Sequence, residues 1–209
     1  MSCTIKIIQE CGGVIETNPN EISQFISGLK VVSNFVGVNT LIVHETTLFH
    51  ACVFNVNDGS VIKIGKTKYR IHNLIIHANG GTVEIGNDFS CWGVNLRLQE
   101  KGSMITIGND CMFSNDIVIY ASDIHAIIDI ETGKVINRGR PVIIDNHVWL
   151  GRHVSILKGV KLPENTVVGM GSVVTGSFSH GNISIGGNPA HILKSNISWT
   201  RKHVDSYNE

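Results

Sequence analysis

From Val142 to Ser177 the chain reads in steps of six, VIIDNH, VWLGRH, VSILKG, VKLPEN, TVVGMG and SVVTGS, without a gap. The third place of every step is aliphatic (Ile144, Leu150, Ile156, Leu162, Val168, Val174), and the first is apolar or small (Val142, Val148, Val154, Val160, Thr166, Ser172). Side chains alternate along an extended strand, so places one and three face one side. The residues that follow, among them Asn146, Gly151, Asn165 and Gly169, suit a sharp corner. Each step therefore predicts a short strand and a turn. Hairpins would need longer alternating strands joined by two-residue turns, so the pattern predicts a solenoid of stacked coils. Looser copies, IKIGKT at Ile62, VEIGND at Val83 and ITIGND at Ile105, start 21 and 22 residues apart, close to three steps plus a few loop residues. The next interval, from Ile105 to Val142, is 37 residues. Its surplus is read as a protruding loop over 121–141, and long loops on rigid scaffolds often carry function.

Composition agrees with a mostly β class: 29 Ile and 22 Val stand against 10 Leu, with 22 Gly and 19 Asn as turn formers. The 209 residues fit one domain, divided as an N-terminal segment 1–60, the solenoid 61–194 and a C-terminal cap 195–209. In the first segment EISQFISGL (Glu21 to Leu29) predicts a short helix, with irregular early coils after it; Asn196 to Tyr207 predicts a short helical cap. Seventeen basic residues balance seventeen acidic ones, and 16% of residues are charged. No basic field exists to hold nucleic acid or an anionic membrane surface. No apolar run approaches the roughly 20 residues of a spanning helix, and the start MSCTIKIIQECGG lacks a signal-like apolar region. The expectation is a cytoplasmic protein without membrane insertion. Five cysteines with no CxxC pair argue against a disulfide framework or zinc finger.

Three further features carry chemistry. Asp123-Ile124-His125 opens the loop, and Trp149 follows His125 by 24 residues within NHVWLG. Gly186-Gly187-Asn188-Pro189-Ala190 precedes His191-Ile192-Leu193-Lys194, and Asn196-Ile197-Ser198-Trp199 precedes Arg201-Lys202. With the hexads, these resemble the hexapeptide-repeat O-acetyltransferases, the galactoside, maltose and xenobiotic branch, and look closest to the capsular polysialic acid and lipopolysaccharide O-acetyltransferases. The resemblance runs from about Ile62 to Lys194. It implies a left-handed parallel β-helix, although the usual rule for parallel connections gives the opposite hand. It also implies a homotrimer with sites between subunits, acetyl-CoA as cosubstrate, a carbohydrate acceptor and no metal.

A sugar hydroxyl needs a base, and imidazole is best poised for that near neutrality. The resemblance gives this role to His125; the plainer alternative is a solvated loop histidine. Trp149 holds the outward second place of its hexad, and the resemblance sets it against the acetyl group or pantetheine arm; a trimer contact without ligand is the alternative. A backbone N–H just after Gly151, around Arg152, is the implied oxyanion donor. The other implied cofactor positions are Met170, Thr175, Gly176, His191 and Lys194. Met170 and Gly176 depart from the galactoside enzymes, which have a small residue and a Lys there. Asp123, two residues before His125, is placed to orient the imidazole if that stretch is extended. Trp92 and Asn95 are acceptor candidates, since aromatic faces stack on sugar rings, with Ser114, Asn115 and Asp116 in the next coil. GMGSVVTG is no nucleotide loop, because its glycines are corner residues of consecutive hexads. Rival readings are a xenobiotic acetyltransferase, a γ-carbonic-anhydrase-like metal enzyme and a non-catalytic trimeric scaffold. The metal enzyme needs three histidines on one ion, for which His72 with His77 and His147 with His153 are the candidates, yet the last two fall on different faces of one coil.

Overall fold

The computed structural model describes residues 3–33 and 37–207. Short strands wind into three sheets of eight, eight and seven strands, and each coil from Asn39 to Val174 contributes one strand to each sheet. The first sheet stacks Val61–Ile64, Thr82–Ile85, Met104–Ile107 and Val142–Ile144 in parallel, with Ile62, Val83, Ile105 and Val142 in one column. That is the register the repeat starts predict. The second sheet carries Ser90–Cys91, Met112–Phe113 and Trp149–Leu150, and the third carries Val94–Leu98, Ile117–Tyr120 and Ser155–Ile156.

The core lies inside the coil. All six third-place aliphatics of the Val142 to Ser177 run are buried, as are their first-place neighbours. Each of the aliphatic side chains contributes about 1.5–3 kcal/mol on leaving water. Lower down, Phe54, Phe89 and Phe113 fill the axis, the last two edge to face at 5.1 Å.

At the first corner Asp88, Asp110, His147, Asn165 and Asn182 take positive φ, a conformation that Asn and Asp tolerate better than most residues. Beside it runs an asparagine ladder. The side-chain oxygens of Asn87, Asn109 and Asn146 accept from the backbone N–H of Lys66 (3.0 Å), Asn87 (2.8 Å) and Asn109 (2.7 Å), each one coil earlier. A Cβ on Gly65, Gly86 or Gly108 would lie 2.5, 2.6 or 2.7 Å from those oxygens. The recurring Ile-Gly-Asn thus has a steric cause.

Three expected features differ. EISQFISGL forms only a 3-10 turn at Ile22–Gln24, which buries Ile22 and Ile26. The coil of Asn39–His44, Leu48–His50 and Cys52–Asn57 is regular, not irregular. Its long strands and the three-residue corner 58–60 hide the six-residue period, and buried Asn39 closes that corner by accepting from Gly59 and Ser60 (both 3.0 Å). Residues 34–36 of the expected irregular stretch lie outside the described residues, as do 208–209 of the cap. The C-terminal cap is not a helix. Ala190–Ser195 folds back antiparallel on Ile183–Gly187, and the chain then runs extended along the first corner to a 3-10 turn at Val204–Ser206. Asn165 and Asn182 Nδ2 both donate to Ile197 O at 3.2 Å, bonds that a helix would forgo. Val14–Thr17 likewise lies antiparallel on Cys3–Ile8 at the other end. Among the described residues no helix is long and apolar enough to cross a membrane.

Candidate active site

The loop leaves the coil after Ile117–Tyr120 and returns at Val142–Ile144. Its base is closed by Arg140 N to Ala121 O (3.0 Å) and Gly139 N to Glu100 Oε2 (2.7 Å). Within it, Ile136 N bonds Ile127 O and Asp129 N bonds Lys134 O, both at 2.9 Å, so the loop is a hairpin. His125 sits at the hairpin's foot, exposed, with its imidazole unpartnered among the described residues. It lines a small pocket with Gln99, Glu100, Ile124, Asn137 and Arg138. Gln99 Oε1, on that pocket's wall, is buried without a partner among the described residues.

Asp123 is engaged elsewhere. Its carboxylate accepts from Lys158 Nζ and from Asn137 Nδ2 (2.9 Å), and Asn137 also donates to His125 O (2.8 Å). The hydrogen bond from Lys158 holds the Asp123 carboxyl below its usual range. Ile124 has φ 70°, so the stretch is not extended and the two side chains do not project together. Asp123 orients the backbone around His125 through Asn137 rather than the ring directly.

Trp149 lies on the second sheet, 38% exposed, in the outward column that also holds Ser90 and Met112. It lines a pocket of about 410 Å³ that also includes Arg70, Trp92, Ser114 and Arg201. Trp92, 66% exposed, is stacked flat on His72, ring centroids 4.4 Å apart and planes within 1°. The far wall is the C-terminal tail. Trp199 Nε1 donates to His147 O (2.8 Å), and its ring centroid is 6.0 Å from that of Trp149. Arg201 donates to Asp110 Oδ1 (2.9 Å), Ser90 Oγ (2.7 Å), Asp88 O (3.1 Å) and Cys111 O (3.0 Å), and covers the Tyr69 ring at 4.1 Å. His147 Nδ1 lies 2.8 Å from the other oxygen of Asp110. Burial raises the Asp110 carboxyl, but its bonds with Arg201 and His147 outweigh this and hold it below its ordinary value.

The remaining expected positions are spread along the upper coils. Gly151 is sterically required, since a Cβ there would lie 2.8 Å from Met170 N. Arg152 pairs with Asp116 at 3.0 Å. Met170 is 74% exposed, and Thr175 and Gly176 are exposed. His191 and Lys194 project from the terminal strand, and Lys194 makes no ion pair among the described residues. Asn95 lies on the third sheet, accepts from Arg97 Nε (3.0 Å) and lines a different pocket from Trp92, together with Asp116. The histidines of the metal reading are dispersed: His72 under Trp92, His77 near Asn55, His147 at Asp110 and His153 at 3.8 Å from Asp116.

One chain therefore gathers Trp92 with Trp149, and sets His125 in a separate pocket. His72, Gln99 and Lys158 were not visible as residues of an acetyl-transfer site in the sequence, and Arg201 was visible only as a cation of the C-terminal segment, not by its partners. Their partners lie one or more coils away, and only the period could have paired His72 with Trp92.

No family model matches the chain. It is 37% identical over 190 residues to a polysialic acid O-acetyltransferase of Neisseria meningitidis, across 80% of this chain and 88% of that protein. It is 36% identical over 132 residues to a polysialic acid O-acetyltransferase of Escherichia coli O1:K1, where the match spans 63% of this chain and 42% of the relative's length. The crystal structure of the polySia-specific acetyltransferase NeuO superposes with TM-score 0.77 at 33% identity, covering 86% of this chain and 83% of that one. The winding is that of the left-handed β-helix acetyltransferases. The hexad register, the match to the Neisseria meningitidis relative over most of both chains and the superposition on NeuO agree: the chain belongs to the hexapeptide-repeat O-acetyltransferases, alongside the polysialic acid O-acetyltransferases.

Proposed function

We propose that this protein transfers acetyl from acetyl-CoA to a hydroxyl of a bacterial surface polysaccharide, a sialic acid polymer foremost, at sites between the subunits of a cytoplasmic homotrimer. The observation that carries the reading is the 37% identity across 88% of a relative named polysialic acid O-acetyltransferase. The geometry supports it at three points. The His125 imidazole is exposed and unpartnered among the described residues, on a hairpin whose foot is tied by Asn137 and Lys158, so it is free to take a hydroxyl proton from a fixed position. Trp149 and His125 line different pockets of one chain, as a site completed by a neighbouring subunit requires. Along the upper coils nothing lies within 4 Å of a Cβ built on Gly176, and Lys194 is without an ion pair among the described residues, an open surface with a cation for a long phosphorylated ligand.

Acetyl-CoA supplies the acetyl group as an activated thioester. His125 removes the acceptor proton as the hydroxyl oxygen bonds to the thioester carbonyl carbon, and the imidazolium returns it to the CoA thiolate as the C–S bond breaks; Trp149 covers the acetyl or pantetheine end, and the backbone N–H at Arg152 offers charge stabilisation where the carbonyl oxygen develops it. Arg152's own side chain is held by Asp116 and leaves its backbone in place. The test is transfer of radiolabelled acetyl from acetyl-CoA to sialic acid polymers, other capsular and O-antigen sugars, galactosides and chloramphenicol, with wild type and His125→Ala compared. Product on the sialic acid polymer that disappears with His125→Ala is expected. Product that survives the substitution removes His125 as the base, and transfer to chloramphenicol alone overturns the acceptor.

A further inference from the structure

In the column that holds Trp92, the coils on either side differ in bulk. Below it His72 covers one indole face, and His50 backs His72 with ring centroids 5.0 Å apart. Above it the next coil presents Ser114, whose carbonyl accepts from Trp92 N (3.3 Å), and the coil after that presents Gly151. The indole is thus backed by His72 on one face, while its other side borders a hollow lined by Ser114, Met112 and Phe113. That hollow opens towards Trp149, in the same pocket of about 410 Å³. An exposed, immobilised aromatic face beside hydroxyl groups suits the apolar face of a pyranose ring.

The pocket's two guanidinium groups are in contrasting states. Arg201 is consumed by its four hydrogen bonds. Arg70 is exposed and makes no ion pair among the described residues. It stands one coil behind Trp92, at the end of the pocket away from Trp149. A cation held beyond the stacking ring meets the sugar unit next along a chain, not the unit being modified.

We propose that this pocket is an acceptor subsite for an acidic polysaccharide, in which Trp92 stacks one sugar ring, with Ser114 beside it, and Arg70 pairs with a carboxylate on the adjacent unit. The assignment rests on the proposed function for its direction of chain entry, and it makes recognition depend on polymer charge and on at least two linked units. Trp92 and Arg70 are specificity residues, and neither takes part in the proton transfer.

The experiment titrates oligomers of sialic acid, the same oligomers with their carboxyl groups reduced to alcohols, and the monomer into the full chain and into Arg70→Gln, Trp92→Ala and Trp92→Phe. The unsubstituted protein is expected to bind the acidic oligomer about tenfold more tightly than the reduced one, and the monomer more weakly than either. Arg70→Gln should erase the preference for charge. Trp92→Ala should weaken both oligomers, and Trp92→Phe should restore most of the loss. Unchanged thermal unfolding shows that the variants are folded. Equal affinity for the charged and reduced oligomers, an undiminished preference in Arg70→Gln, a monomer that binds as tightly as the polymer, or no binding at all overturns the subsite. Acetyl transfer measured on the same samples separates the two readings: binding as expected without transfer overturns the proposed function and leaves the subsite standing.

Discussion

The indole of Trp199 lies on the imidazole of His147, ring centroids 4.1 Å apart and planes within 11°, although 52 residues separate them. The pair pins the C-terminal tail to the corner where the Trp149 strand begins, and Arg201 repeats the attachment one and two coils lower. The tail is a strap whose inner edge forms part of the pocket that holds both exposed tryptophans.

Removing the lower anchor should loosen that strap. Arg201→Ala leaves Asp110 without its guanidinium partner, and the lost charge-assisted bonds predict a cost of about 2–4 kcal/mol. Calorimetry should show Tm lowered by several degrees, and limited proteolysis should cut the tail first. Arg201→Lys should recover only part of the loss, since a single ammonium cannot reach four acceptors in a fixed fork. A Tm equal to wild type in Arg201→Ala contradicts the strap.

Acid should have the same effect. The folded Asp110 carboxyl is held below its unfolded value, so its contribution is complete above the unfolded pKa and is lost as pH falls through the folded one. The tail is therefore expected to stay docked at neutral pH and to release below about pH 4. Tryptophan fluorescence followed against pH reads this directly, and Asp110→Asn should flatten the acid step. A release already complete at pH 6 would have to come from another group.

The asparagine ladder predicts intolerance of the smallest enlargement. Gly86→Ala drives a methyl to 2.6 Å from Asn109 Oδ1, and either the corner or the ladder must yield. A loss of about 1–3 kcal/mol is expected from overpacking. Asn109→Ala leaves the Asn87 N–H unpaired, for about 1–2 kcal/mol. Chemical denaturation measures both, and a neutral Gly86→Ala would show that the corner has slack.

Thiol chemistry should be confined to one cysteine. Cys3, Cys52, Cys91 and Cys111 are buried, and burial pushes the Cys111 thiol up to about 12. Cys11 is exposed. An aromatic disulfide reagent at pH 8 should modify one thiol quickly in the folded protein and the rest only on unfolding; two fast equivalents contradict the burial.

What the sequence made legible follows the range of the forces involved. The column Ile62, Val83, Ile105 and Val142 was readable because inward aliphatics recur at a fixed local period, and the loop because it interrupts that period. Trp149's outward position came from its parity within a hexad. The straps and pairings did not show. Arg201 finds Ser90 and Asp88 at separations of 111 and 113 residues, and no local pattern encodes such contacts. Asn196 to Tyr207 looked helical because its partners, the corner asparagines, were out of view. Asp123 looked like a partner for His125 until the positive φ of Ile124 turned it towards Lys158.

The reversed strands at the two ends of the stack bear on how the molecule behaves in a crowd. A solenoid of parallel coils exposes at each end a row of unpaired amides, ready to template another copy in register. Val14–Thr17 closes one sheet at its first coil, and Ala190–Ser195 closes another at its last, each running against the ladder it ends. Of the six outermost strands, the four that run with the coils are only two to four residues long. End-to-end growth into fibres is blocked by direction and by length, so the protein can carry a long uninterrupted ladder and remain a discrete particle.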